Sequence, residues 1–292
     1  MFIQLILSGI TMGFIYAIVA LGFVLIYKAT KVFNFAQGEL VLFGTYLFVY
    51  QISYMKIPLL AGLAIALLIS LVLGLGIERV LLRPMIGQPL VSVIMVTVGL
   101  SSILKAASGL VWGFDDLTFV PFFSEKPIRF WLFIMPQVYI WITMITVLFL
   151  GVFIWFYRKS KYGLAMRCSA SHQDRALLMG ISVKRVFGAS WALACVVATI
   201  GGLFLANLVT VNYNLGFFAL RAFPAAIVGG LDSVEGVILG GLIIGIAESL
   251  AGGYIDPLFG GGVKETIAFL FLLVILVVKP YGFFGTEEIE RV

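Results

Sequence analysis

The uncharged stretches of this chain constrain its fold more than any other feature. Residues 1–27, 57–77, 84–104, 130–157 and 186–220 contain no Asp, Glu, Lys or Arg. Each matches or exceeds the ~20 residues that cross a hydrocarbon core. About a quarter of a soluble domain is charged, against 11% here, with 62% hydrophobic residues and a mean hydropathy of +1.15. That leaves too little polar surface to coat a globule in water. In lipid every backbone polar group must be satisfied internally, which permits only helices or closed barrels. The alternation of barrel strands is absent. The sequence therefore predicts an all-α polytopic membrane protein, a single transmembrane domain over 1–292 with about eight to nine helices.

The predicted spans run roughly over 5–27, 38–55, 58–78, 90–108, 135–157, 187–209, 215–230, 237–251 and 263–280. The seventh and eighth are short, so 215–251 reads either as two crossings or as a re-entrant hairpin. No basic segment precedes the first apolar run and no cleavage site follows it, so a retained first span is expected rather than a signal peptide. Cys168 falls in a charged loop and Cys195 in a span. Settings so different disfavour a disulfide, and two cysteines make no metal framework. The net charge of +5 sits at membrane edges and is not a nucleic-acid signature.

Basic residues set the orientation. With the N-terminus outside and nine alternating crossings, thirteen of the nineteen Lys and Arg face the cytoplasm and six face outward. This is the positive-inside bias. The cytoplasmic loop 158–185 contributes most, through Arg158, Lys159, Lys161, Arg167, Arg175, Lys184 and Arg185. The C-terminus is then cytoplasmic, and the spans before and after the fifth have opposite topology, which suggests an inverted repeat.

Each half has a Gly-and-acid interruption, "FNFAQGELVLFG" and "GGLDSVEGVILGG". Paired interruptions in opposed halves point to two discontinuous helix regions at a transport path. In the first, Asn34 and Gln37 can satisfy freed backbone groups, Gly38 allows close approach, and Glu39 costs ~2.5–3.5 kcal/mol deep in a bilayer unless it faces protein or a water cavity. The alternative is a cytoplasmic turn in which Asn34 caps the next helix. In the second, Gly229, Gly230, Asp232, Glu235 and Gly236 form a tight turn, followed by GxxxG pairs at Gly236/Gly240 and Gly241/Gly245 that suit close helix packing. The acids there are a solvated loop or the tip of a hairpin in a cavity.

In the loop, "SHQDRALLMG" has Ser171 as a candidate N-cap, Asp174 at the third helical position and Gly180 as a stop. Ala176, Leu177, Leu178 and Met179 give an apolar side. The short amphipathic helix this predicts either anchors the loop at the interface or docks a cytosolic partner. Enzyme chemistry is hard to find. His172 is most simply solvated, and no nucleophile elbow or metal-binding helix is present. "FGGGVKET" at 259–266 lacks the Ser or Thr and the strand–loop–helix setting of a phosphate loop. Neither a cofactor nor a metal site is expected. A stand-alone channel or ion-coupled carrier for a small polar solute, with Glu39 or Glu248 titrating, is the competing class.

Three stretches, "NFAQGELVLFGTY" at 34–46, "MGISVKRVFGASWALA" at 179–194 and "RAFPAAIVGGLDSVEGVILGGLIIGIAE" at 221–248, with "KPYGFFG" at 279–285, resemble a known family over nearly the whole chain. It is the membrane permease subunit of branched-chain amino-acid importers of the ATP-binding-cassette type, nearer the shorter H permease than its longer M companion. The resemblance implies import of Leu, Ile and Val across a bacterial or archaeal cytoplasmic membrane. It also implies a second homologous permease, two cytosolic ATPases, an extracytoplasmic binding protein and a lipid surround. By this resemblance Asp174, Arg175, Ala176, Leu178 and Gly180 belong to the ATPase-coupling helix. Asn34, Gln37, Gly38, Glu39, Gly229, Gly230, Asp232, Glu235 and Gly236 fall at broken helices along the path. The family more often carries Pro where Glu235 stands, and Gly or Asp at position 232. The extra acid leaves urea or short amides as alternative solutes.

Overall fold

The computed structural model describes residues 1–117, 121–123, 126–130, 133–171 and 173–285, the side chains of 129–134 and 171–175 excepted. In chain order the elements are α1 (Phe2–Thr30), α2 (Gln37–Ser53), α3 (Leu59–Ile77), α4 (Leu90–Trp112), β1 (Pro127–Phe130), β2 (Phe133–Pro136), α5 (Gln137–Lys159), α6 (Lys161–Ser171), α7 (Gln173–Leu178), α8 (Val183–Ala206), α9 (Leu215–Leu220), α10 (Ala222–Gly229), α11 (Gly236–Leu250), α12 (Asp256–Phe259) and α13 (Val263–Val278). A π-helical turn, Glu78–Leu82, extends α3, and another, Ala251–Ile255, joins α11 to α12.

Among the described residues six helical stretches are long and apolar enough to cross a membrane: Phe2–Thr30, Leu59–Met85, Leu90–Trp112, Gln137–Lys159, Val183–Ala206 and Gly236–Phe259. The chain is an all-α polytopic membrane protein. At 17 and 16 residues, α2 and α13 fall just under that length. The seventh expected span is two short helices, α9 and α10, interrupted at Arg221. The eighth is longer than its hydropathy suggested, because the π turn carries the helix on to Phe259. Residues 130–136 are uncharged yet lie partly in the β1–β2 hairpin, so the fifth span begins only at Gln137. Proline punctuates the starts, since it fits the first turn of a helix but not its interior. Pro58 and Pro89 precede α3 and α4 in the extended conformation.

The chain divides into two compact units. One comprises residues 1–24, 123–149 and 221–292, the other 25–122 and 150–220.

In the second unit α2 lies against α3, α4, α8 and α9, and α3 lies against α8. Trp191, Tyr46, Phe48, Leu42, Leu205 and Leu215 are buried there. Phe43 and Tyr46 both contact the Trp112 ring. Ser70 and Thr199 share a hydrogen bond of 2.6 Å between α3 and α8.

In the first unit α10, α11 and α13 pack together. Lipid tails are as apolar as the helices, so close backbone packing rather than water expulsion drives association. The glycines of α11 provide it on two faces. A Cβ on Gly241 or Gly245 would run into the backbone of α1 at Gly13, and one on Gly236 or Gly240 into the backbone of α10. Thr11 and Thr143 add a hydrogen bond of 2.8 Å between α1 and α5.

Candidate functional site

The first interruption, in the second unit, is a buried irregular segment between α1 and α2. Helix α1 ends at Thr30, and Lys31 takes the left-handed conformation (φ 56°). Asn34 is buried. Its Oδ1 accepts the Ala36 N–H at 3.0 Å and its Nδ2 donates to Gln37 Oε1 at 3.2 Å. This is an Asx turn leading into the helix. Ala36, with no side-chain capping bond, occupies the N-cap position itself. Thr97 on α4 is fully buried and holds the segment, its Oγ1 accepting the Phe35 N–H at 3.4 Å. Thr97 had no signal in the sequence, being one threonine in an apolar span.

Gly38 and Glu39 open α2 against α9. A Cβ on Gly38 would lie 2.6 Å from the Gly216 carbonyl oxygen, and one on Gly216 would lie 2.8 Å from the Glu39 carboxylate. Glu39 is 6% exposed and Gln37 fully buried. Among the described residues Glu39 Oε2 and Gln37 Nε2 have no hydrogen-bond partner. Buried polar atoms are usually paired, so this one helical turn carries an unused acceptor and an unused donor. Nearby on α4, Lys105 lies over the rings of Tyr213 and Phe217, at 4.9 and 4.5 Å.

The second interruption lies in the first unit. Gly230 has a φ of 102° and turns the chain from α10 to α11. Ser233 Oγ accepts the Gly236 N–H at 2.9 Å and so starts α11. Gly229 and Gly236 sit backbone to backbone across the turn. Asp232 and Glu235 are half-buried. The C-terminal "KPYGFFG" folds over this turn: the N–H groups of Phe283 and Phe284 donate to the carbonyls of Val228 and Gly229, at 2.9 and 3.2 Å. It thus satisfies carbonyls that the end of α10 would leave orphaned. The same unit gives Glu248, which the sequence singled out, a partner that it did not show. Glu248, buried on α11, accepts a hydrogen bond of 2.6 Å from Tyr16 on α1, and among the described residues its other oxygen has no partner.

The loop helix is α7. Gly180 is left-handed (φ 78°); its N–H bonds Leu177 O, and the Ile181 N–H bonds Ala176 O. This is a Schellman end. Ala176 is buried, while Leu177, Leu178 and Met179 are exposed. Ser171 is the last residue of α6, and α7 opens at Gln173. Asp174 and Arg175 lie on the α7 backbone with side chains outside the description, and His172 lies outside the described residues.

Residues 5–278 match the family model described as "Branched-chain amino acid transport system / permease component". The chain belongs to that family. Along its full length it is 31% identical to the "High-affinity branched-chain amino acid transport system permease protein LivH" of Escherichia coli, covering 98% of that protein. It is 29% identical to the corresponding protein BraD of Pseudomonas aeruginosa, over 100% of this chain and 98% of that one. It is also 29% identical to a probable LivH of Methanocaldococcus jannaschii, over 92% of this chain and 88% of the other. Among solved structures it is similar to "PsaBC from Streptococcus pneumoniae in complex with Fab", with a TM-score of 0.54 at 13% identity over 95% of this chain and 92% of that one. At that identity the likeness concerns the fold. The family's members are transport permeases rather than enzymes.

Proposed function

We propose that this chain is the translocating subunit of an ATP-driven importer that carries Leu, Ile and Val across a bacterial or archaeal cytoplasmic membrane. It pairs with a second homologous permease, receives solute from an extracytoplasmic binding protein, and is driven by two cytosolic ATPases. The observation that carries this reading is the full-length similarity to permeases named for branched-chain amino-acid transport. In this reading the N-terminus is outside, the C-terminus is cytoplasmic and the two halves form an inverted repeat.

The apolar tip of α7, Leu177 to Met179, with Asp174, Arg175, Ala176 and Gly180 around it, seats in a groove of the ATPase. Nucleotide-driven closure of the ATPases then pulls α7 and tilts the spans, giving alternating access. The Asn34–Glu39 turn and the Gly229–Gly236 turn lie along the path. There Gln37 and Glu39 offer a donor and an acceptor to the zwitterion, and the Val, Ile and Phe side chains of the spans offer an apolar wall.

Uptake of radiolabelled leucine into proteoliposomes tests the proposal. Uptake should require both permeases, the ATPases, ATP and the binding protein. Transport by this chain alone would overturn it in favour of a carrier using Glu39 or Glu248. Competition by urea or short amides, but not by isoleucine or valine, would move the substrate class within the family.

A further inference from the structure

A cavity of about 260 Å³ opens between α6 and the first turns of α8 in the second unit. Its walls are mainly apolar, with Tyr162 and Met166 from α6, Ile181 just before α8, and Val186 and Ala189 from the start of α8. Two cations, Lys161 and Arg185, also line it, and both are exposed. Among the described residues neither is paired with a carboxylate. The groove stands where two spans end, because α5 stops at Lys159 and α8 begins at Val183. In the topology proposed above, those span ends face the cytoplasmic headgroups. The exposed side chains of Leu177, Leu178 and Met179 do not line it, but Gly180, which ends α7, does, so the groove abuts the base of that helix.

An apolar slot with two cations beside it at a bilayer surface matches an anionic phospholipid, which needs a positive site for its phosphate and a dry wall for its acyl chain. We propose that this groove holds one anionic phospholipid, its phosphate at Lys161 and Arg185 and part of an acyl chain against Tyr162, Met166 and Val186. The lipid fastens α6 to α8 and thereby fixes the seat from which α7 projects. This does not depend on which solute the chain carries.

Native mass spectrometry of the full-length chain, titrated with dioleoyl phosphatidylglycerol or dioleoyl phosphatidylcholine, tests it. The wild type should bind the anionic lipid preferentially. K161Q/R185Q should bind it roughly 30-fold more weakly, the equivalent of about 1 kcal/mol of interfacial attraction per cation, with phosphatidylcholine binding unchanged. Ala189→Trp, which fills the slot and keeps both charges, should also lose the lipid. The control K56Q/K264Q, with the same net charge change, should not; thermal unfolding confirms that each variant is folded. Unchanged phosphatidylglycerol binding in both groove variants overturns the proposal, as does an equal loss in the control. Glycerol phosphate binding as tightly as the lipid reduces the site to an anion site and also overturns it. Loss of ATPase association with lipid binding intact makes the groove a protein dock instead.

Discussion

At the residue scale, the polar side chains inside the membrane account for most of what is unusual in this molecule. The Tyr16 O–H donates to one Glu248 carboxylate oxygen at 2.6 Å, and among the described residues the other oxygen has no partner. Tyr16→Phe should therefore cost about 1–3 kcal/mol, the range for leaving a buried polar group without its partner. It should appear as a lower unfolding temperature in detergent. Glu248→Gln, which keeps an acceptor for the Tyr16 O–H, should cost less. Thr97→Val preserves shape but removes the oxygen that receives the Phe35 N–H. Amide hydrogen exchange at 33–37 should quicken by about fivefold, equivalent to one ordinary hydrogen bond of ~1 kcal/mol. The polarity of Asn34, Gln37 and Glu39 was legible in the sequence. Thr97, Gly216 and Tyr16, distant in sequence from the groups they contact, could not be singled out from the chain alone.

At the element scale, glycine rows decide which helices touch. The sequence showed two GxxxG pairs on α11 but not that they serve opposite neighbours, α10 and α1. A leucine at Gly245 must push α1 away from the Gly13 backbone, and overpacking of this kind costs about 1–3 kcal/mol. The expected result is poor yield and an early-melting protein by size-exclusion thermostability. Gly99→Leu on α4, where a Cβ meets nothing within 4 Å, should leave both unchanged. At the end of α7, Gly180→Ala forces a Cβ into the left-handed conformation (φ 78°) at about 1 kcal/mol. Amides of 176–181 should exchange faster, and ATPase capture by the complex should weaken, while the spans keep their protection.

At the scale of the whole molecule, contacts inside each unit join segments far apart in the chain. In the first unit the C-terminal segment bonds the 230–236 turn. In the second unit Leu117 bridges Val211, and the Phe122 N–H reaches Asn207. The proposed orientation gives a direct prediction. In intact cells an impermeant thiol reagent should leave Cys168 unmodified, and in inverted vesicles it should label it; labelling in intact cells would reverse the topology. Ending the chain after Val278 should expose the Val228 and Gly229 carbonyls and raise hydrogen exchange across 228–236, because nothing else described caps that end of α10. By itself the sequence determined the solvent, the helical class, most span boundaries and the two interruptions, because lipid forbids charge and unsatisfied backbone over a fixed length. Only the tertiary structure decided that the seventh span breaks at Arg221, that the C-terminal segment closes the second turn, and which side chains meet the buried acids. Those outcomes rest on contacts between residues far apart in the chain, and no local pattern of hydrophobicity encodes them.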